Sequence, residues 1–237
     1  RQEPIMDIAA EVALAAKGKN TFVFPFENDE VCFSTMRKEL AGFDRITVCD
    51  VVIDRLCTDQ EIQENHISVI AEKNALIYIH CPEERVKEKS IIVNASKFTG
   101  YTDLQTYENN LIFMYVANMA DYNFFRDAKR MLVNGIHAAA AIHGYFELVE
   151  SSRRRIEPSV WASQIFHVVA KDPDIREHLT PIANYFIVRI ILQYVEEYKK
   201  VGRWNGVLED ELYRRACFLK EVYSNAWTRI RKMPDSM

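Results

Sequence analysis

Three polar residues of types that can hold or move a proton lie close together in the chain. They are Lys129, Asn134 and His137, within the segment "DAKRMLVNGIHAAAAIHGY". On an α-helix of about 3.6 residues per turn, Asn134 lies roughly 140° and His137 roughly 80° from Lys129. An ammonium, an amide and an imidazole group therefore project from one side of the predicted helix, with the imidazole in the middle.

Such a set suits the interconversion of a secondary alcohol and a ketone. A lysine held in a dry pocket has its pKa lowered, so that it can accept a hydroxyl proton near neutral pH. An asparagine amide can donate to the oxygen on which negative charge develops, and a histidine can orient a neighbouring hydroxyl. From the spacing alone, the simpler interpretation is a surface lysine, a polar helix residue and a half-buried structural histidine.

Two further stretches accompany this motif and strengthen the catalytic interpretation. The stretch "KRMLVNGIH" (129–137) has the form K-x4-N-x2-H and precedes the small-residue run "AAAAIHGY" (138–145). The stretches "FPFEN" (24–28) and "VVIDRLCT" (51–58) come earlier in the chain. Taken in chain order, these three stretches resemble the polyol-specific long-chain dehydrogenases. This is the family of mannitol 2-dehydrogenase, mannitol-1-phosphate 5-dehydrogenase and the hexuronate reductases.

The resemblance implies a role for each residue of these motifs. Lys129 would be the general base in alcohol oxidation and the general acid in ketone reduction. Asn134 and Asn28 would together stabilise the developing alkoxide, and His137 would bind and orient a substrate hydroxyl. Asp54 and Arg55 would lie beside the substrate cleft.

The same resemblance implies a polyol or ketose substrate and NAD or NADP as the cofactor. It implies no metal, since lysine takes the place that zinc has in many other alcohol dehydrogenases. Simpler roles stay open for three of the residues. Asn28 is well placed to cap the helix that follows it, and Asp54 and Arg55 could form a structural ion pair at a strand end.

A dinucleotide-binding motif is absent from the sequence. The pyrophosphate needs a glycine-rich turn between a strand and a helix, and none of the 7 glycines forms a GxGxxG pattern. By comparison with the family, residues 1 to about 60 correspond to the end of the nucleotide-binding domain. We therefore expect a fragment of a longer dehydrogenase, which the Arg1 start favours; a natural short form without hydride chemistry is the alternative.

The net charge of −4 argues against a nucleic-acid partner. The apolar segments are too short or too interrupted by charge to predict a membrane span. The 5 cysteines are an odd set without a CxxC pair, and several lie in apolar runs. That pattern indicates reduced thiols in a cytoplasmic protein rather than a disulfide framework.

The hydrophobic periodicity predicts an α+β chain of two domains. Residues 1–102 alternate between helices and strands, as expected for the end of a Rossmann-like dinucleotide-binding domain with added strands. Residues 103–237 carry helical patterns throughout, including "DLQTYENNLIFMYVANMADYNFF" (103–125), and predict an all-α substrate domain. Two other functions remain open: a non-catalytic carbohydrate-binding module and an α-helical interaction module.

Overall fold

The computed structural model describes most of the chain in eleven stretches. These are residues 2–25, 30–54, 57–63, 66–71, 74–81, 110–116, 118–152, 165, 168–172, 174–200 and 208–232. They are mostly helical with short strands, which agrees with the α+β class at this coarse level. Two compact units are formed, one by residues 1–56 and 72–122 and the other by residues 57–71 and 123–237. The domain boundary expected at residue 102 falls outside the described residues.

The first unit begins with a helix–strand–helix–strand segment. Helix α1 (Gln2–Ala16) precedes strand β1 (Thr21–Val23), and helix α2 (Glu30–Leu40) connects β1 to strand β2 (Ile46–Val48). The strands β1 and β2 pair in parallel. Helix α1 ends at Ala16, and Gly18 follows with a φ of +72°, a conformation that a side chain would disfavour.

A mixed three-stranded sheet follows in the same unit. Strand β3 (Asp50–Asp54) pairs antiparallel with β6 (Asn74–His80), and β6 pairs in parallel with β7 (Asn110–Val116). The nearly continuous apolar character of "RITVCDVVID" (45–54) predicts one buried strand. The structure divides it at Cys49, where the chain leaves the β1–β2 pair, with the Cys49 N–H donating to the Val23 carbonyl at 2.9 Å, and enters the second sheet.

The helical prediction for residues 103–125 was wrong in part. Residues 110–116 form strand β7, and the next helix, α3 (Met119–Asp127), begins after Asn118. Asn118 accepts a hydrogen bond from the Asp121 N–H at 2.9 Å and so caps that helix. A short, continuously apolar run is compatible with either a helix or a buried strand, and here pairing with β6 decides for the strand.

The second unit contains an antiparallel hairpin and a group of helices. Strands β4 (Cys57–Gln63) and β5 (His66–Ala71) form the hairpin. A π-helix (Ala128–Gly135) continues α3 and leads into α4 (Ile136–Ser152), and α5 (Ile175–Lys200) and α6 (Leu208–Lys232) complete the described helices. The π-helix packs against α4, α5 and α6, so it lies at the centre of this unit's core.

Within the described residues, none of the helices combines the length and the apolar character that crossing a membrane requires.

Candidate functional site

The candidate residues Lys129 and Asn134 lie on the π-helix, where the sequence pattern predicts an α-helix. The difference matters because a π-helix bonds each residue to the fifth residue along, and such turns occur frequently at functional sites. Lys129 and Asn134 are five positions apart, so their backbones lie about one turn apart on this helix. The roughly 140° separation of an α-helix therefore does not apply to this pair.

Packing holds this wide turn from several directions. Ala128, Met131, Leu132 and Val133 are buried, and so is Ile136 in the first turn of α4. Three of these residues are consecutive, so no single narrow stripe of the helix faces the core. Lys129 is half-buried, whereas Asn134 is exposed. The lysine is therefore partly shielded from water and the amide is accessible to a solute.

His137 begins the α-helical part and is fixed by helix α6. Its Nε2 lies 3.3 Å from the carbonyl oxygen of Ala226. A carbonyl can only accept, so Nε2 donates in this contact. The contact fixes the orientation of the imidazole ring relative to α6.

A buried carboxylate directly before the π-helix was missed by the sequence analysis. Asp127 is only 2% exposed, and its Oδ1 lies 3.4 Å from the Arg126 Nε and 3.9 Å from the Arg130 Nη2. A buried carboxylate needs such cationic partners. In the sequence, Asp127 lies among basic residues in "RDAKR" (126–130). That pattern is equally typical of a solvated surface.

In the first unit, Asp54 lies at the end of β3 and is half-buried. Its cross-strand partner is Leu76, and Tyr78 faces the neighbouring position Val52. Burial, and then the Asp54 carboxylate, raise the pKa of Tyr78 above its usual range, so this phenol keeps its proton at neutral pH. Tyr78 was not singled out from the sequence, where it lies inside the apolar run "NALIYIH".

The candidate residues are thus distributed over both units. Lys129, Asn134 and His137 come together on consecutive turns of the second unit, and Asp54 belongs to the first unit. Asn28 and Arg55 lie outside the described residues. The three-residue motif is therefore the part of the predicted site that the structure brings together.

His143, one and a half turns after His137 on α4, has a partner of its own. Its Nε2 lies 3.2 Å from Asp172 Oδ2, and its ring stacks on that of His178 with the ring centres 5.4 Å apart. In the part of the chain that the structure describes, no group of three or more His, Cys, Asp or Glu side chains is arranged to hold a metal ion.

Comparison with known proteins adds no relative. No protein-family model, no curated protein and no solved structure matches this chain. The resemblance to the polyol dehydrogenases therefore rests on the motifs of the chain itself and stays a prediction.

Proposed function

We propose that this chain is a mannitol dehydrogenase-like oxidoreductase, interconverting a polyol or sugar-acid secondary alcohol and the corresponding ketose. The observation that carries the proposal is the π-helix, on which Lys129 and Asn134 lie about one turn apart. A half-buried amine and an exposed amide one turn apart match the needs of alcohol oxidation. The amine takes the hydroxyl proton and the amide stabilises the oxygen left behind.

The resemblance assigns His137 to a second hydroxyl of the substrate. The contact of its Nε2 with the Ala226 carbonyl supports this role because it holds the ring in one orientation. A polyol carries a hydroxyl on the carbon next to the reacting one, so a contact with this ring would orient it. The resemblance also assigns Asn28, Asp54 and Arg55 to the substrate site, as further predictions.

The cofactor part of the proposal rests on the resemblance alone. NAD or NADP would supply a hydride acceptor at the nicotinamide ring. The β1–α2 segment is the described place where parallel strands and a helix could receive a pyrophosphate. The connection from β1 to α2 reads "FPFEND" (24–29) and contains no glycine. That connection does not fit the group, and we assign no residue of this chain to the cofactor.

We also propose a domain type and a cellular compartment for this chain. The β1–α2–β2 segment would be the end of a dinucleotide-binding domain, because two parallel strands joined by a helix are the building unit of that fold. A reducing compartment such as the cytoplasm agrees with free thiols at Cys32, Cys49, Cys81 and Cys217.

A second function is favoured by the missing glycine-rich turn. A non-catalytic carbohydrate-binding module would keep the accessible Asn134 and the oriented His137 but would need no dinucleotide. It predicts polyol or ketose binding that is unchanged by NAD(H) or NADP(H). The dehydrogenase predicts turnover, and binding that depends on the cofactor.

The deciding experiment replaces the amine. Lys129→Met removes the proton acceptor but keeps an unbranched side chain, so turnover of a responsive polyol should fall by about 10²–10⁴. Titration calorimetry should still detect the polyol, and circular dichroism should be unchanged.

The matched control is Lys171→Met, at an exposed lysine of the same unit. Near-normal turnover of Lys129→Met would overturn the proposal. Binding without turnover in the unaltered protein would favour the carbohydrate-binding module.

A further inference from the structure

Two buried thiols of the first unit lie opposite each other across adjacent strands. Asp50 of β3 pairs with His80 of β6 in the antiparallel register. Continued by one residue, before the start of β3 and beyond the end of β6, that register places Cys49 opposite Cys81. Directly opposed residues of an antiparallel pair have Cα atoms about 4.5–5.5 Å apart. A disulfide bridges Cα atoms about 4.4–6.8 Å apart, so the backbone spacing suits a cross-link.

The two side chains also point to the same side of the sheet. Cys49 and Cys81 are 0% and 1% exposed, and they belong to one apolar cluster with Val51, Ile77 and Ile79. These positions alternate along each strand, as residues on one face must. The thiols of Cys49 and Cys81 are hydrogen-bonded to each other, so the two sulfur atoms already lie side by side.

The same surroundings make the pair react slowly while the protein is reduced. The hydrogen bond with Cys81, followed by burial, raises the pKa of Cys49 well above the usual range of a thiol. The thiolate is the reactive form, so alkylating reagents should reach these positions slowly. A disulfide formed here would be equally shielded from reductants in solution.

We propose that Cys49 and Cys81 form a disulfide when the protein meets an oxidised low-molecular-weight disulfide such as oxidised glutathione. One protein thiolate attacks a sulfur of the reagent, forming a mixed disulfide and releasing one reduced thiol. The second protein thiolate then attacks the protein sulfur of that bond and releases the second reduced thiol. Two protein thiols are oxidised, one reagent disulfide is reduced, and both protons leave with the two released thiols.

The cross-link has a definite structural consequence. It ties the start of β3 to the end of β6 and closes the chain between them into a covalent loop. A covalent loop restricts the unfolded chain more than the folded one. The oxidised protein should therefore unfold at a higher denaturant concentration than the reduced protein.

The test is peptide mapping of the whole chain after equilibration with oxidised glutathione. Acid quenching, denaturation, alkylation with N-ethylmaleimide and trypsin digestion would follow. The sequence suits this because each of the 5 cysteines falls on its own tryptic peptide, with Cys49 on residues 46–55 and Cys81 on residues 74–85. We expect these two peptides to appear joined, with the loss of two hydrogen atoms.

Matched variants separate this pair from the other cysteines. Cys217→Ser, at an exposed cysteine, should leave the joined peptides unchanged, whereas Cys49→Ala and Cys81→Ala should each remove them. Recovery of both wild-type peptides as separate alkylated or glutathione-bearing species would overturn the proposal, as would linkage of either one to another cysteine. If an alanine variant fails to fold, the wild-type map decides alone.

Discussion

Gly144 and Val169 approach so closely that a β-carbon added at Gly144 would lie 2.5 Å from the Val169 Cγ2. The same atom would lie 2.9 Å from the carbonyl oxygen of Ile165. Small residues such as those after His137 predict that neighbouring elements can come near, and at Gly144 this is confirmed. Ala140 is fully buried, whereas Ala138 is exposed, so the alanine run as a whole is not a tight interface.

Gly144→Ala should therefore destabilise the protein. The added methyl group meets backbone as well as side-chain atoms, and overpacking of this kind costs about 1–3 kcal/mol. That exceeds the helix-propensity gain of about 1 kcal/mol from replacing glycine. The free energy of unfolding in urea measures the effect. The control is Gly42→Ala, where no atom lies within 4 Å of the added carbon. Equal stability of the two variants would contradict the close contact.

Arg215→Lys should lower stability although it keeps the charge. The guanidinium carbon of Arg215 lies 4.1 Å from the ring centre of Tyr194 and 4.6 Å from that of Phe124. Its Nε also donates to Glu211 at 2.8 Å. A lysine cannot reproduce this flat stacking, and we expect a loss of about 0.5–2 kcal/mol in the free energy of unfolding.

The neighbouring residue supplies the control for that substitution. Arg214 is exposed on the same helix, so Arg214→Lys should change the unfolding free energy by less than about 0.5 kcal/mol. Indistinguishable urea midpoints for the two variants would show that the aromatic contacts contribute nothing measurable.

Asn134→Ala should slow turnover without harming the fold. If the amide stabilises the developing alkoxide, its loss lowers kcat by about 10²–10³. Because Asn134 is exposed, the melting temperature should hardly change. Asn225→Ala, at an exposed asparagine of helix α6, is the comparison. A less than fivefold change in kcat would remove Asn134 from the catalytic set.

The Asp172 carboxylate should be sensitive to its histidine neighbours. Burial alone would raise the pKa of Asp172. Hydrogen bonds from the Asp174 N–H and from His143, together with the charges of His143 and His178, lower it overall. A lowered pKa in the folded state contributes stability above the ordinary aspartate pKa of about 3.9, and this is lost as pH falls through the folded value.

His143→Ala should consequently move the Asp172 titration upward and bring the acid loss of stability to a higher pH. Carboxyl chemical shifts measured by NMR would follow the titration, and melting temperatures between pH 2 and 5, about the range of ordinary carboxyl titration, would follow the stability. His178→Ala should act in the same direction but more weakly, because His178 affects Asp172 through its charge alone. An unmoved titration in His143→Ala would contradict the assigned hydrogen bond.

Periodicity predicted the long elements well and the short ones less well. The apolar periodicity of residues 181–200 and 207–231 predicts two helices, and the structure has α5 at Ile175–Lys200 and α6 at Leu208–Lys232. Strand β7 was missed because its pattern is continuous, and only its partner β6, distant in sequence, distinguishes it from a buried helix. The break of "RITVCDVVID" at Cys49 likewise depends on which sheet each half joins.

The candidate site, like the fold, was predictable from the sequence only in part. The motif placed Lys129, Asn134 and His137 on one helix, and local chain geometry was enough for that. The π-turn was not predictable, because it depends on packing from three other helices. Asp127 was overlooked because its burial depends on the fold, while its neighbours in the sequence are charged.

The pairing of β6 with β7 also determines the order in which the first unit can assemble. Asn74 pairs with Asn110 in parallel, so the chain must close a long loop before a single bond of that ladder forms. The β4–β5 hairpin closes between Gln63 and His66 and carries a far smaller entropic cost. Early in refolding, one edge of β6 should therefore still be unpaired. An apolar strand with a free edge joins other chains readily, so refolding yield should fall steeply as protein concentration rises.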